Sequence, residues 1–310
     1  MLFDSSPSSR RDCAKTPETE MTLDGEIQRL SKALASHSRW FVLTGAGCST
    51  ASGIAAYRDE AGRPIHGTPL THTEFVSSEI KRKRYWMRSV LGWPTVDSAR
   101  PNRAHDALVR LERSGRMQRL VTQNVDGLHQ KAGSQLVTEL HGRLRHVRCL
   151  QCEDISSRAA LQRRLLERNT WLQPTPETAH QTDLPSARLA PDGDAAPAVD
   201  RSHLLALVAC AQCGGVLMPD VVFFGGTVPS SRVTEAYDSL ERSDALLVIG
   251  SSLTVFSGFR FVKRAVAWGR PIYIVNRGQS RADGLARLRL SGECGDVLSR
   301  SLALCGLDAG

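Results

Sequence analysis

The stretch Trp40-Phe-Val-Leu-Thr-Gly-Ala-Gly47 decides the fold. Four large apolar residues run without a polar break, then give way to Thr44 and two glycines. A short continuous apolar run of this kind suits a strand buried on both faces of a parallel sheet. The pattern recurs along the chain. Leu120-Val-Thr122 passes into Gln123-Asn124-Val125-Asp126-Gly127, Ala245-Leu-Leu-Val-Ile249 into Gly250-Ser251-Ser252, and Pro271-Ile-Tyr-Ile-Val275 into Asn276. Helical stretches lie between them, at 27–35 and 104–113 for example. Alternating strands and helices imply an α/β fold, a doubly wound, Rossmann-like parallel sheet. Such sheets bind ligands in the crevice beyond the carboxyl ends of their strands. Four strand ends therefore deliver Gly, Ser, Asn and Asp to one cleft.

Working outward, the chain has 310 residues, 41% hydrophobic and 23% charged. That length suits one large α/β domain, alone or with a small one, and the composition excludes a disordered or fibrous protein. No run approaches the roughly 18 consecutive apolar residues of a membrane span. The polar, partly acidic residues 1–24 lack the apolar core of a secretory signal and read as a disordered tail, so a cytoplasmic location is expected. The net charge of +8 comes mainly from arginine, 34 Arg against 6 Lys. Such a surplus favours anionic partners, cofactor phosphates among them. The basic residues are nevertheless spread out, and the one short cluster, Lys81-Arg82-Lys83-Arg84, reads as a solvated helix face.

Four of the cysteines form two pairs, Cys149-Leu-Gln-Cys152 and Cys210-Ala-Gln-Cys213. Without a secretory signal, paired C-x-x-C knuckles read as a tetrahedral zinc site rather than as disulfides. Four thiolates leave no open coordination position, so the zinc is expected to be structural. The segment 153–209 between the knuckles carries a helix near Leu161 to Leu166. Pro174, Pro176, Pro185, Pro191, Pro197 and an Asp-Gly turn follow, marking a loop-rich insertion.

The turn Gly45-Ala46-Gly47-Cys48-Ser49-Thr50 is a partial dinucleotide fingerprint, with Thr50 where a third glycine would stand. Glycine lets a phosphate approach the backbone, and a following helix N-terminus would offer free N–H groups. On the turn alone, dinucleotide binding and an ordinary strand-to-helix turn both stand. The ordered set is more specific. It comprises Gly45-Ala-Gly-Cys-Ser-Thr-Ala-Ser-Gly-Ile-Ala-Ala-Tyr-Arg58, Thr122-Gln-Asn-Val-Asp-Gly-Leu-His129, Glu139-Leu-His-Gly142 and the four cysteines. Met218-Pro-Asp-Val-Val-Phe-Phe-Gly225 and Gly250-Ser-Ser252 complete it. This set resembles the sirtuin family of NAD-dependent protein deacylases across about residues 25 to 300. Tyr85-Trp86, Gly92-Trp93-Pro94, Ala190-Pro-Asp-Gly-Asp194 and Cys294-Gly295 resemble its class II branch.

The resemblance implies an NAD-binding Rossmann-like domain over 25–144 and 215–310, with a cofactor loop at about 55–70 and a helical insertion at about 71–103. It implies a zinc module over 145–214. Gly45, Ala46, Gly47, Ser49 and Thr50 would line the pyrophosphate and nearby ribose. Tyr57 and Arg58 would belong to the cofactor loop, and Gln123 and Asn124 would hold the nicotinamide ribose. Ile54, Val125 and Asp126 would receive the carboxamide. Gly250, Ser251 and Ser252 would contact the adenosine half, with Asn276, Arg277, Gly278 and Cys294 near the adenine. His141 would be the general base, with Asn124 and Asp126 as its catalytic companions. In the implied mechanism the carbonyl oxygen of an acylated lysine displaces nicotinamide, and a base then takes a proton from a ribose hydroxyl. Histidine suits that step because its pKa lies near neutrality. His129 reads as structural.

Two departures from the family pattern stand out: Ala55-Ala56 where Pro-Asp is usual, and Gly226 where an acidic residue follows Phe-Gly. Tyr85-Trp-Met-Arg88 has a Tyr-x-x-Arg spacing similar to that of acidic-acyl sirtuins. At i and i+3 of a helix both side chains would share a face; a solvated Arg88 is the competing reading. Mono-ADP-ribosyl transfer and a non-catalytic zinc-stabilised NAD- or nucleic-acid-binding module remain alternatives to the deacylase. No basic stripe or stacking aromatics accompany the knuckles, so no specific nucleic acid is expected.

Overall fold

The computed structural model describes residues 22–65, 69–173, 193, 195 and 199–307. Most of the N-terminal tail and most of the proline-rich insertion, including Asp192 and Asp194, lie outside the described residues. Helix α1 (Leu23–Ser36) starts two residues inside the expected tail, because Thr22 caps it and accepts the Gly25 N–H.

Six strands form the main sheet: β1 (Trp40–Thr44), β2 (Met117–Thr122), β3 (Val137–Glu139), β7 (Ala245–Ile249), β8 (Ile272–Val275) and β9 (Leu288–Leu290). Their order is β3-β2-β1-β7-β8-β9, and every pair is parallel. Two strands, β2 and β3, thus run outward from β1 on one side and three, β7, β8 and β9, on the other. The reversal leaves a crevice between the ends of β1 and β7, where such sheets bind ligands. Alternation along β1 explains its unbroken apolar run. Trp40 and Val42 join a core with Leu30, Leu34, Leu108, Leu111, Val297 and Leu298, from α1, α4 (Arg103–Arg113) and α9 (Cys294–Leu304). Phe41 and Leu43 point the other way, to Leu240 of α7 (Ser230–Glu241) and Phe261 and Val262 of α8 (Phe256–Ala267).

Between β3 and β7 the chain builds a second, antiparallel sheet in the order β5-β4-β6, from β4 (Gly142–Cys149), β5 (Ile155–Ser157) and β6 (Leu217–Val221). Both cysteine pairs hang from its ends. Helix α6 (Arg158–Arg168) covers it and extends well beyond the expected 161–166. Helices α2 (His72–Ser77) and α3 (Glu79–Ser98) pack against the same sheet, with Phe75, Tyr85 and Trp86 meeting Val147, Leu161, Leu165 and Leu217 in one core. The guanidinium of Arg158, 1% exposed, is held between Trp86 and Trp93 and donates to the Ser89 carbonyl and hydroxyl.

One local expectation fails. No α-helix follows the first glycine turn; two single 3₁₀ turns, Ala46–Cys48 and Thr50–Ser52, end at Gly53 with φ +81°. The N–H groups of Gly47, Cys48 and Ser49 are already spent on Gly250, Gly45 and Ala46 carbonyls. A helix-terminus account of phosphate binding does not apply here.

Candidate active site

The strand ends and the small sheet enclose a cleft of about 1370 Å³. Its floor is the contact between the β1 and β7 turns. A Cβ on Gly45 would lie 2.8 Å from the Cβ of Ser251, one on Gly47 2.9 Å from the Cα of Gly250, and one on Gly250 2.2 Å from the backbone nitrogen of Cys48. Gly250 also has φ +62°. These glycines are required first by each other, since two backbones cross there at contact distance.

The β2 end supplies a buried polar network. The amide of Asn124 donates to the Gly45 carbonyl and to Ser49 Oγ, each at 3.1 Å. Ser49 Oγ in turn donates to the Asp126 carboxylate at 2.7 Å, and the Leu128 N–H donates to its other oxygen at 2.9 Å. Burial pushes the Asp126 carboxyl up from the usual carboxylate range, against the downward pull of those two bonds. Ser251 donates to the side-chain oxygen of Gln123 at 2.7 Å, tying the β7 turn to the β2 turn.

His141 stands between β3 and β4. Its Nδ1 lies 2.9 Å from the carbonyl of Gln123 and its Nε2 2.8 Å from Ser257 Oγ. A carbonyl only accepts, so Nδ1 carries the proton and Nε2 presents a lone pair. Burial lowers the His141 pKa, the Gln123 bond resists, and the Arg232 and Arg260 charges lower it further. The imidazole is therefore neutral near pH 7, the state a general base needs.

Of the residues singled out in the sequence, Gly45, Ala46, Gly47, Thr50, Tyr57, Arg58, Gln123, Asn124, Val125, His141, Gly250, Ser251, Ser252, Asn276, Arg277, Gly278 and Cys294 line the cleft. Ser49, Ile54 and Asp126 stand behind that lining at 0, 2 and 3% exposure. Burial pushes the Cys294 thiol up to about 12, so it serves as a small neutral group. Tyr85 and Arg88 both line the cleft from α3. His129 is buried, with Nε2 2.9 Å from Thr44 Oγ1 under the β1 turn. Sequence reading missed Ser257 and Gly258. Nothing local marks them, because their partners Gln123 and His141 come from distant chain segments.

The four knuckle sulfurs lie within 4.8 Å of one another. Cys149 and Cys213 are 3.5 Å apart, and Cys152 and Cys210 3.8 Å. A tetrahedral zinc with bonds of about 2.3 Å needs sulfurs about 3.8 Å apart. Backbone N–H groups of Gln151 and Gln212 point at Cys149 and Cys210 Sγ, each at 3.4 Å, which favours thiolates. The donor set fits a closed zinc site. Cys48, His105 and His129 also converge. There, however, His105 Nδ1 accepts the Asn102 N–H at 3.2 Å, which puts the ring proton on Nε2 and makes it a donor rather than a ligand.

Comparison with known proteins gives concordant matches. The Sir2 family profile matches residues 45–257. A Bordetella bronchiseptica protein named NAD-dependent protein deacetylase is 46% identical over 281 residues, covering 88% of this chain and 96% of its own. A Xanthomonas campestris protein of the same name is 48% identical over 272 residues, covering 87% and 89%. A solved Sir2 structure with a p53 peptide and NAD+ is similar with TM-score 0.67 at 26% identity, over 91% of this chain and 99% of that one.

Proposed function

The chain belongs to the Sir2 family and is an NAD-dependent protein deacylase, and from that premise we propose how its own residues divide the work. The observation that carries the reading is the convergence of His141, Asn124 and Gln123 on the cleft at the β1/β7 crossover. The six-stranded sheet with its helices makes the NAD-binding domain, from the two segments expected at 25–144 and 215–310, and the small sheet of β4, β5 and β6 with the four cysteines makes the zinc module. The boundaries expected at 144/145 and 214/215 shift outward, because β4 begins at Gly142 and β6 spans Leu217–Val221. NAD+ supplies an electrophilic ribose carbon with nicotinamide as its leaving group. The β1 and β7 turns, with Ala46, Thr50, Ser251 and Ser252, hold its phosphates and adenosine half, and Asn276 to Gly278 with Cys294 frame the adenine. Gln123 and Asn124 orient the nicotinamide ribose. Ile54, Val125 and Asp126 shape the carboxamide pocket, with Ser49 and the Leu128 N–H holding the Asp126 carboxylate still. Tyr57 and Arg58 close the cleft from the cofactor loop. His141 takes the ribose hydroxyl proton at Nε2, the nitrogen that its Nδ1–H bond to Gln123 leaves unprotonated.

The zinc has no catalytic position; Cys149, Cys152, Cys210 and Cys213 use it to tie the small sheet together. The substrates are acylated lysines of proteins. Tyr85 and Arg88 of α3 recognise acyl groups ending in carboxylate, since a guanidinium offers paired donors matched to that group. The enzyme acts in the cytoplasm, where reducing conditions keep four zinc thiolates intact.

The test is to incubate the protein with NAD+ and a panel of acyl-lysine peptides, following both products by mass. Deacylated peptide and acyl-ADP-ribose should form in equal amounts, with nicotinamide release that depends on the acyl peptide. ADP-ribosylated protein without deacylation would establish mono-ADP-ribosyl transfer instead.

A further inference from the structure

We propose that Ser257 is a positioning residue for the general base: its hydroxyl occupies Nε2 of His141 until a ribose hydroxyl replaces it. The inference rests on the assignment of His141 as base. Ser257 is the second residue of α8, whose N-cap, Val255, makes no side-chain cap. The serine hydroxyl does not cap that helix end either; it donates 2.8 Å across to His141 Nε2. Its placement is tightly set. A Cβ on the next residue, Gly258, would fall 2.5 Å from the Gln123 amide nitrogen, so the start of α8 lies hard against Gln123. Gln123 therefore fixes the site twice. Its carbonyl holds Nδ1–H of the ring, and its side chain abuts the helix that carries Ser257.

Two consequences follow. First, the pair of bonds selects one neutral tautomer and aims its lone pair at the cleft side, which Ser257 and His141 both line. An incoming ribose hydroxyl exchanges one O–H donor for another, so the partly buried lone pair is never left without a partner. Second, a donor on Nε2 favours the unprotonated ring and so adds to the depression of its pKa. The charged groups facing the ring are Arg232 of α7 and Arg260 of α8. Glu139 of β3, two residues upstream, is neutralised by Arg143 at 2.8 Å. None of these changes when the hydroxyl is removed.

The decisive measurement is the ring titration of His141 by ¹⁵N NMR in the full chain without NAD+, with the resonance assigned by its loss in His141→Ala. Ser257→Ala should raise the His141 pKa by about half to one unit, and Ser257→Thr should restore it. The acid limb of kcat/KM for deacylation should move up by the same amount. Deacylation on the plateau should fall about fivefold more than exchange of labelled nicotinamide, which precedes proton removal. An unshifted titration in Ser257→Ala, or equal losses in exchange and deacylation, would overturn the inference. Full deacylation by His141→Ala would instead overturn the base assignment, and the titration would still report on the serine.

Discussion

Gly250 carries the tightest constraint at the residue scale. An added methyl would meet the Cys48 backbone at 2.2 Å in a left-handed conformation. Gly250→Ala should cost about 2–4 kcal/mol, from backbone strain plus overpacking, read as a lower urea midpoint with unchanged slope. His141 behaves oppositely, because its side chain serves the reaction rather than the fold. His141→Ala should lower deacylation about 10²–10⁴-fold while leaving the unfolding midpoint near that of the parent. The sign of the pH dependence follows from its pKa, which burial holds below 6.5. The base is neutral above that pKa, so kcat/KM should fall on acidification with a midpoint below 6.5. A midpoint above 6.5 in the pH profile would contradict the burial seen here. His141 was legible in the sequence through Glu139-Leu-His-Gly142. Its partner Ser257 was not, since the contact joins positions 116 apart.

At the scale of elements, the small sheet depends on its metal. Strand β5 has three residues, and β4 meets β6 through an irregular register between Gly142 and Val147. Changing any one of Cys149, Cys152, Cys210 or Cys213 to Ala should release the one zinc per chain, melt the small sheet and abolish activity. Metal analysis and circular dichroism would check this. The loss reaches the cleft because Tyr85 of α3 shares a core with Val147 and Leu217. Helix α3 supports a separate prediction. Arg88→Met should lower turnover of acyl groups ending in carboxylate about 10- to 100-fold, the worth of a charge-assisted hydrogen bond, and spare acetyl-lysine. Equal losses on both substrates would make Arg88 a surface cation. Paired cysteines and a Tyr-x-x-Arg spacing are local signals. The shared core joining α3 to the small sheet is a long-range packing result, and no local pattern announces it.

For the molecule as a whole, two histidines beneath the β1 turn add to the acid sensitivity that His141 and His37, also depressed by burial, carry in the same direction. Burial holds His105 at about 4, and burial with the His105 charge holds His129 well below 6.5. Both bind protons more readily unfolded than folded below pH 6.5. Their contribution is therefore complete above that pH and is lost as pH falls toward 4, at up to about 1.4 kcal/mol per unit for each ring. Asp126 and Glu139, pushed up by burial, act in the opposite sense and soften the lower end of the decline. The zinc thiolates already make unfolding free energy fall as pH drops from 8. The histidines should therefore be read as an added slope below 6.5; no added slope between pH 6.5 and 5 would contradict neutral buried rings.

The sequence alone determined the parallel α/β sheet, because strands buried on both faces must be apolar at every position, and Trp40-Phe-Val-Leu43 and Ala245-Leu-Leu-Val-Ile249 are. It determined the paired cysteine ligands by their spacing, and the family by an ordered set of motifs. Only the tertiary structure decided that the glycines of the first turn are needed against Gly250, that the turn's N–H groups are spent internally, and that no helix follows it. Likewise, only the packed chain sets Ser49, Ile54 and Asp126 behind the cleft lining and brings Ser257 to the histidine. The reason is common to all of these. Periodicity and spacing record what a residue needs from its neighbours in the chain, whereas these contacts arise where β1, β2 and β7 end side by side, and parallel pairing across a crossover sets that meeting.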